Sequence, residues 1–193
     1  MPKVVHEYKE EAKERIIQAA LEVYSEKGYH EATMEDVAQK LGVSKGALYL
    51  YFKSKDELLN IITERWNRSM RNILPSSQEG KKLDKSLESM FDHIAEDPIG
   101  RMGLGFDLIS LASRNPSIRK ILSEAYEKNL KIISEFLKKN STKSSAQNTL
   151  EVTFEAISLV ALQFGLMATL ILGVDEKDAR KAWEQSTKAI IKP

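Results

Sequence analysis

Ser44, Lys45, Gly46 and Tyr49 lie close together in one short stretch and carry groups suited to binding nucleic acid. Ammonium and hydroxyl groups bond phosphate oxygens or base edges, and a glycine without a Cβ permits close approach. The stretch 39–55 contains four lysines and no carboxylate, in a chain whose net charge is only +1. A basic segment on a nearly neutral protein indicates a docking face for DNA rather than unspecific polyanion binding.

The sequence from Thr33 to Phe52 predicts a helix-turn-helix that would position these groups. Thr33 and Asp36 have the spacing of a capping box, and Gly42 suits the sharp exit from the first helix. Ser44 is the predicted cap of the second helix. The predicted core positions are Val37, Ala38, Leu41, Leu48 and Phe52, with Val43 filling the turn from inside. An ordinary helical hairpin is the alternative, but caps, turn and apolar positions share one register, which favours a DNA-binding element.

The chain resembles the TetR family of transcriptional regulators over residues 10 to 60. The resemblance rests on GVSKGALYLYFKSKDELL (42–59) and on the preceding ERIIQAALEVYSEKGYHEATMEDVAQKL. It implies an all-α homodimer, and about nine helices are expected in each chain. A three-helix DNA-binding domain is expected at 1–54, and a helical effector-binding and dimerisation domain at 55–193.

The resemblance also implies individual DNA contacts. The implied phosphate contacts are Thr33, Ser44, Tyr49 and Lys55, and the implied base or groove contacts are Lys45, Gly46, Ala47 and Tyr51. Lys53 lies in the same basic stretch and is a further predicted DNA contact. Many family members carry His or a small polar residue where this chain has Leu50 and Tyr51, so no base is assigned there.

Composition excludes several classes of function. The 193 residues include no cysteine, which excludes disulfides, thiolate zinc sites and cysteine nucleophiles and favours a cytoplasmic protein. The three histidines are scattered and no Gly-rich phosphate loop occurs, so an enzyme is not expected. His93 near Asp92, Glu96 and Asp97 is interpreted as an acidic helix end rather than a metal cluster, so neither metal nor cofactor is predicted.

Hydrophobic periodicity predicts the remaining helices. The predicted segments are a helix at 8–27, a helix at 55–74, a linker at 75–82, helices at 83–96, about 99–113 and 116–139, a polar loop at 138–145, and helices from about 150 and at 176–191. No strand is predicted.

Aromatic and methionine side chains on helices 55–172 predict an adaptable apolar pocket for a small-molecule effector. The predicted pocket residues are Trp66, Met70, Met90, Phe91, Met102, Phe106, Tyr126 and Phe154, with Arg101 and Arg114 available to an anionic head group. An acyl thioester such as acyl-CoA, or a fatty acid, is the first candidate effector. A plain packed core is the alternative for each residue.

The apolar segment 156–172 is short for a membrane span and is interrupted by Ser158, Gln163 and Thr169, so no membrane association is expected. It is predicted to pack one face on its own core and the other on a second subunit. The predicted interface residues are Leu162, Leu166 and Trp183. The sequence therefore predicts a dimeric repressor that leaves a palindromic DNA operator on binding an effector. The alternatives are a DNA-binding regulator controlled by a protein partner, and a helical enzyme or scaffold.

Overall fold

The computed structural model describes residues 3–74, 83–96, 100–140 and 149–191, except the side chains of 3–8, 101, 102 and 149. In these ranges the protein is all-α, as predicted, and contains no strand. The helices are α1 (Lys3–Lys27), α2 (Met34–Leu41), α3 (Lys45–Tyr49), α4 (Lys55–Ile73), α5 (Leu83–Ala95), α6 (Gly100–Ala112), α7 (Pro116–Asn140), α8 (Thr149–Ile171) and α9 (Glu176–Ile191). The predicted linker 75–82 and most of the predicted loop 138–145 lie outside the described residues.

The chain forms two compact units, and α4 and α7 each continue from one into the other. Unit 1 comprises residues 1–65 and 100–123, and unit 2 comprises residues 66–99 and 124–193. Unit 1 therefore includes α6 and the start of α7, which the prediction placed in the C-terminal domain. The functional division at 54 and 55 stays a prediction.

In unit 1, α1 packs against both α2 and α6. Tyr24 is fully buried and meets Tyr29 edge to face, with ring centroids 5.2 Å apart. Gly28 ends α1 with φ 76°, a left-handed conformation that glycine adopts without strain. The loop that follows α1 is therefore fixed from inside by aromatic packing, and it leads directly to the start of α2.

In unit 2, α5, α8 and α9 pack on one another. Trp183 of α9 is 1% exposed, and its Nε1 donates to the Leu87 carbonyl at 2.8 Å. Leu166 of α8 is 7% exposed. The predicted interface positions are corrected here, because Leu166 and Trp183 belong to the core of a single subunit, whereas Leu162 is half-buried.

A different set of α8 side chains is exposed. Four positions three or four residues apart form a stripe along the helix: Leu150, Phe154, Ile157 and Ala161. By length and composition, Leu150–Ile171 could cross a membrane, yet the same test is passed by core helices of soluble proteins. Only 22% of its most apolar stretch is buried within the subunit. We call Leu150, Phe154, Ile157 and Ala161 the α8 stripe.

Candidate nucleic-acid interface

The start of α2 is fixed by the predicted capping box. The Thr33 hydroxyl accepts from the Asp36 amide at 3.1 Å, and the Thr33 amide donates to the Asp36 carboxylate at 2.8 Å. A hydrogen bond from the Lys27 ammonium, followed by those from Thr33, lowers the pKa of Asp36 to about 2. The Thr33 hydroxyl also donates to Asp36, at 2.7 Å, so its proton is used within the fold.

The turn between α2 and α3 also follows the prediction in its main features. Gly42 has φ 70°, and its amide donates to carbonyls of the last turn of α2. The Ser44 hydroxyl caps α3 by accepting from the Ala47 amide at 3.2 Å. Leu48 and Phe52 are buried, as expected. The prediction for Val43 was wrong, because this side chain is 45% exposed.

The outer face of α3 carries most of the predicted base contacts. Lys45, Gly46 and Tyr49 are exposed, and Ala47 is half-buried beside the fully buried Leu48. At about 100° per residue, Lys45, Tyr49 and Gly46 fall in this order along one arc of the helix, and Gly46 is the farthest of the three from Leu48. A Cβ built on Gly46 would have only the Ser44 Oγ near it, at 4.0 Å. The fold thus leaves open space above Gly46.

Two of the predicted DNA-contacting lysines are engaged within the protein. Lys45 pairs with Glu35 of α2 at 3.2 Å. Lys55 donates to the carbonyls of Tyr29, His30 and Ala32 at 2.7, 3.2 and 2.8 Å. It also lies 4.5 Å from the centre of the Tyr29 ring.

The structure therefore corrects the role predicted for Lys55. An ammonium has three N–H donors, and all of them are used by backbone carbonyls. Burial lowers the pKa of this lysine. Lys55 consequently holds the α1–α2 loop against the start of α4 and has no donor left for a phosphate in this conformation.

The apparently acid-free basic stretch is also partly neutralised by other helices. Lys40 pairs with Glu22 and Glu26 of α1, and hydrogen bonds to Glu26 and then Glu22 raise its pKa. Lys53 is exposed, and no ion pair of its side chain occurs among the described residues. Lys53 is accordingly the lysine of this stretch best placed to meet an external anion.

The start of α4 is capped by Ser54. The Ser54 hydroxyl accepts from the Glu57 amide at 3.0 Å. The Glu57 carboxylate accepts from the Lys53 amide at 2.6 Å, one residue earlier than a standard capping box requires. Tyr51 is half-buried next to this junction. The caps of α3 and α4 leave the intervening residues little conformational freedom.

A polar cluster ties this region to α6 and α7 within unit 1. The Tyr29 hydroxyl donates to Asp56 at 2.8 Å, and the Ser117 hydroxyl donates to the other oxygen of Asp56 at 2.7 Å. The Tyr29 amide donates to Asp107 at 2.7 Å. Burial, followed by the bond to Asp56, raises the pKa of Tyr29. Sequence reasoning missed this cluster, because its members come from four separate segments.

The predicted effector residues are spread over both units. Met70, Met90 and Phe91 are buried and Trp66 is half-buried in unit 2, where Tyr126 and Phe154 are 40% and 57% exposed. Phe106 and Arg114 belong to unit 1. The side chains of Arg101 and Met102 lie outside the described residues. No metal-binding group of His, Cys, Asp and Glu occurs in the described part of the chain.

Comparisons with known proteins bear on the same segment. The model of the family described as bacterial regulatory proteins, tetR family, matches residues 16–62. The chain is 27% identical to YfiR of Bacillus subtilis strain 168, an uncharacterized helix-turn-helix transcriptional regulator, over 99% of this chain and 95% of that protein.

Two solved structures share the fold. Salmonella enterica GusR matches with a TM-score of 0.73 at 21% identity, over 94% of this chain and 95% of its own. SmeT in a complex with triclosan matches with a TM-score of 0.67 at 19% identity, over 92% of this chain and 90% of its own.

Proposed function

The chain belongs to the TetR family of DNA-binding transcriptional regulators, and from this premise we propose that it is a cytoplasmic repressor released from a palindromic operator by a small molecule. The observation that carries the proposal is the short helix α3, capped by Ser44 and anchored by Leu48, with its glycine-containing face exposed. A rigid small helix of this kind fits the major groove of B-DNA.

We divide the contacts of this face by their chemistry. Lys53, Ser44 and the Tyr49 hydroxyl suit phosphate oxygens, which position the protein without reading sequence. Lys45 suits a guanine edge once it leaves Glu35, because its ion pair is exposed and therefore weak. Thr33 can donate to a phosphate only if its hydroxyl proton leaves Asp36, to which it is hydrogen-bonded.

The proposed dimer rests on the α8 stripe. An exposed apolar row with alternating three- and four-residue spacing is what a helix packed against another helix requires. A two-fold interface uses the same patch on both chains, so one stripe suffices for two subunits. The family relationship favours this partner over a membrane, since homologues are DNA-binding regulators.

The proposed effector is apolar or amphipathic. Buried methionine and aromatic side chains, such as Met90 and Phe91 in unit 2, adapt readily to such ligands. A protein of the same fold, SmeT, forms a complex with triclosan, an apolar aromatic compound. Acyl thioesters and fatty acids remain the first class to test for this chain.

Selection from random duplexes, followed by effector titration, tests the proposal. We expect the purified protein to enrich a two-fold symmetric sequence and an effector to release it. The chain has two tryptophans, and Trp183 is buried in the core of unit 2. Trp66 is one of the predicted pocket residues, so its fluorescence should change when the effector binds. Trp66→Phe should remove that signal, while the effector should still release the protein from DNA. Failure to enrich any sequence would contradict the DNA-binding proposal, and release by no apolar compound would contradict the effector.

A further inference from the structure

Leu50, at the end of α3, is 81% exposed, although the apolar residues two positions before and after it are buried. Leu48 is 1% exposed and Phe52 is 3% exposed. Single exposed leucines are common on protein surfaces, so exposure alone assigns no role. The position of Leu50 on the DNA-facing helix supplies the second observation.

Leu50 shares a face with the predicted groove contacts. It keeps a right-handed helical conformation, with φ −68° and ψ −24°, and so continues the 3.6-residue period of α3. It therefore follows Gly46 by about one turn and lies next to Gly46 at the end of the exposed arc. Side chains of a helix lean toward its N-terminus, which directs the Leu50 side chain toward Gly46, yet no Leu50 side-chain atom lies within 4 Å of a Cβ built on Gly46.

The chemistry of this pair selects one feature of DNA. Leucine has no hydrogen-bond donor or acceptor, so it can bond neither phosphates nor the polar base edges. In the major groove, the apolar group that distinguishes one base from the others is the C5-methyl of thymine. Gly46, which lacks a Cβ, provides the clearance for close approach of that methyl.

We propose that Leu50 is a specificity-determining residue that contacts the 5-methyl group of a thymine in each half-site. The adjacent Gly46 provides the clearance for that methyl group. This inference rests on the proposed operator binding and adds one base identity to it. Continuity of Leu50 with the α3 face argues for DNA as the occupant. Val43, also aliphatic and 45% exposed, lies in the turn before α3 and serves as the matched control.

The experiment replaces each operator thymine in turn by deoxyuridine, which removes only the methyl group. Wild type should lose affinity at one position, by about fourfold per half-site, as expected for one buried methyl at about 0.8 kcal/mol. Leu50→Ala should bind the thymine duplex more weakly and be insensitive to the same replacement. Val43→Ala should retain the full sensitivity of wild type.

Two results would overturn the inference while leaving the proposed function intact. One is a wild type that binds the operator equally well with uracil at every position. The other is Leu50→Ala keeping the wild-type sensitivity. A protein that enriches no DNA sequence would overturn the proposed function and this inference together. Circular dichroism should show both variants folded, because each side chain is substantially exposed.

Discussion

The exposed face of α3 and the α8 stripe are both surfaces left open by one subunit, and they differ in length and polarity. The α3 face is short, contains a glycine and lies beside lysines and tyrosines, whereas the α8 stripe is long and apolar. The first suits a hydrated polyanion, and the second suits a second copy of the same helix. The side-chain chemistry of the two exposed surfaces thus differs, and we propose a different partner for each.

The largest effect is expected from a charge placed in the α8 stripe. Ile157→Glu should give folded monomers and weaken operator binding by more than about a hundredfold, because a monomer contacts only one half-site. Sedimentation and binding assays measure both properties. Leu166→Glu is the contrasting variant, and it should unfold unit 2, since Leu166 is in the core. A dimeric Ile157→Glu protein with normal affinity would contradict the interface.

Gly46→Ala should separate stability from DNA binding. Alanine meets no crowding atom within the fold and raises helix propensity, so the free energy of unfolding should rise by up to about 1 kcal/mol. Operator affinity should fall about tenfold or more, since a methyl added to a tight contact costs about 1–3 kcal/mol. Urea unfolding and DNA titration measure the two quantities. Unchanged affinity would remove Gly46 from the interface.

Lys53 and Lys55, two residues apart at the start of α4, should differ in their effects on stability. Lys55→Ala removes three hydrogen bonds to carbonyls and should lower the free energy of unfolding by about 2–3 kcal/mol. Lys53→Ala should change stability by less than about 0.5 kcal/mol. Chemical unfolding of both variants decides the assignment, and equal stability of the two would contradict it.

DNA binding should show the reverse order for these lysines. Lys53→Ala should lower the log-log salt slope of operator binding by about 1 per subunit and weaken all duplexes alike, as expected for a lost phosphate contact. Titrations at several salt concentrations give the slope. A salt slope that falls in Lys55→Ala, and stays unchanged in Lys53→Ala, would restore Lys55 as the phosphate contact.

The smallest effect concerns the cap of α2. The pKa of Asp36 is about 2 in the folded chain, below its ordinary value of 3.8, because Lys27 and Thr33 bond the carboxylate. This carboxylate therefore contributes stability above about pH 4, and the contribution is lost as the pH falls through 2. The stability difference between wild type and Asp36→Asn should shrink over that interval. A pH-independent difference between pH 5 and pH 2 would rule out the pKa shift.

Local chemistry explains what the sequence could predict. The caps at Thr33 and Ser44 and the left-handed Gly42 depend on neighbours a few residues away, and the structure contains all of them. All-α architecture and most helix bounds follow from periodicity for the same reason.

The incorrect predictions depended on partners distant in sequence. Lys55 looked like a free cation because its carbonyl partners are more than twenty residues away. The lysine-rich stretch looked uncompensated because Glu22 and Glu26 come from α1. Trp183 has both an apolar ring and a position on an exposed helix, and only the packing of α5 against α9 shows that it is core.

Footprinting of the selected operator tests directly whether two subunits bind two symmetric half-sites. We expect two protected major-groove segments related by two-fold symmetry, with at least two chains per duplex. Their centres should be separated by one helical turn, about 34 Å, or by a multiple of that distance. Ile157→Glu at the same concentration should leave both segments unprotected. A single asymmetric protected segment bound by one chain would contradict binding of a dimer to a palindromic operator.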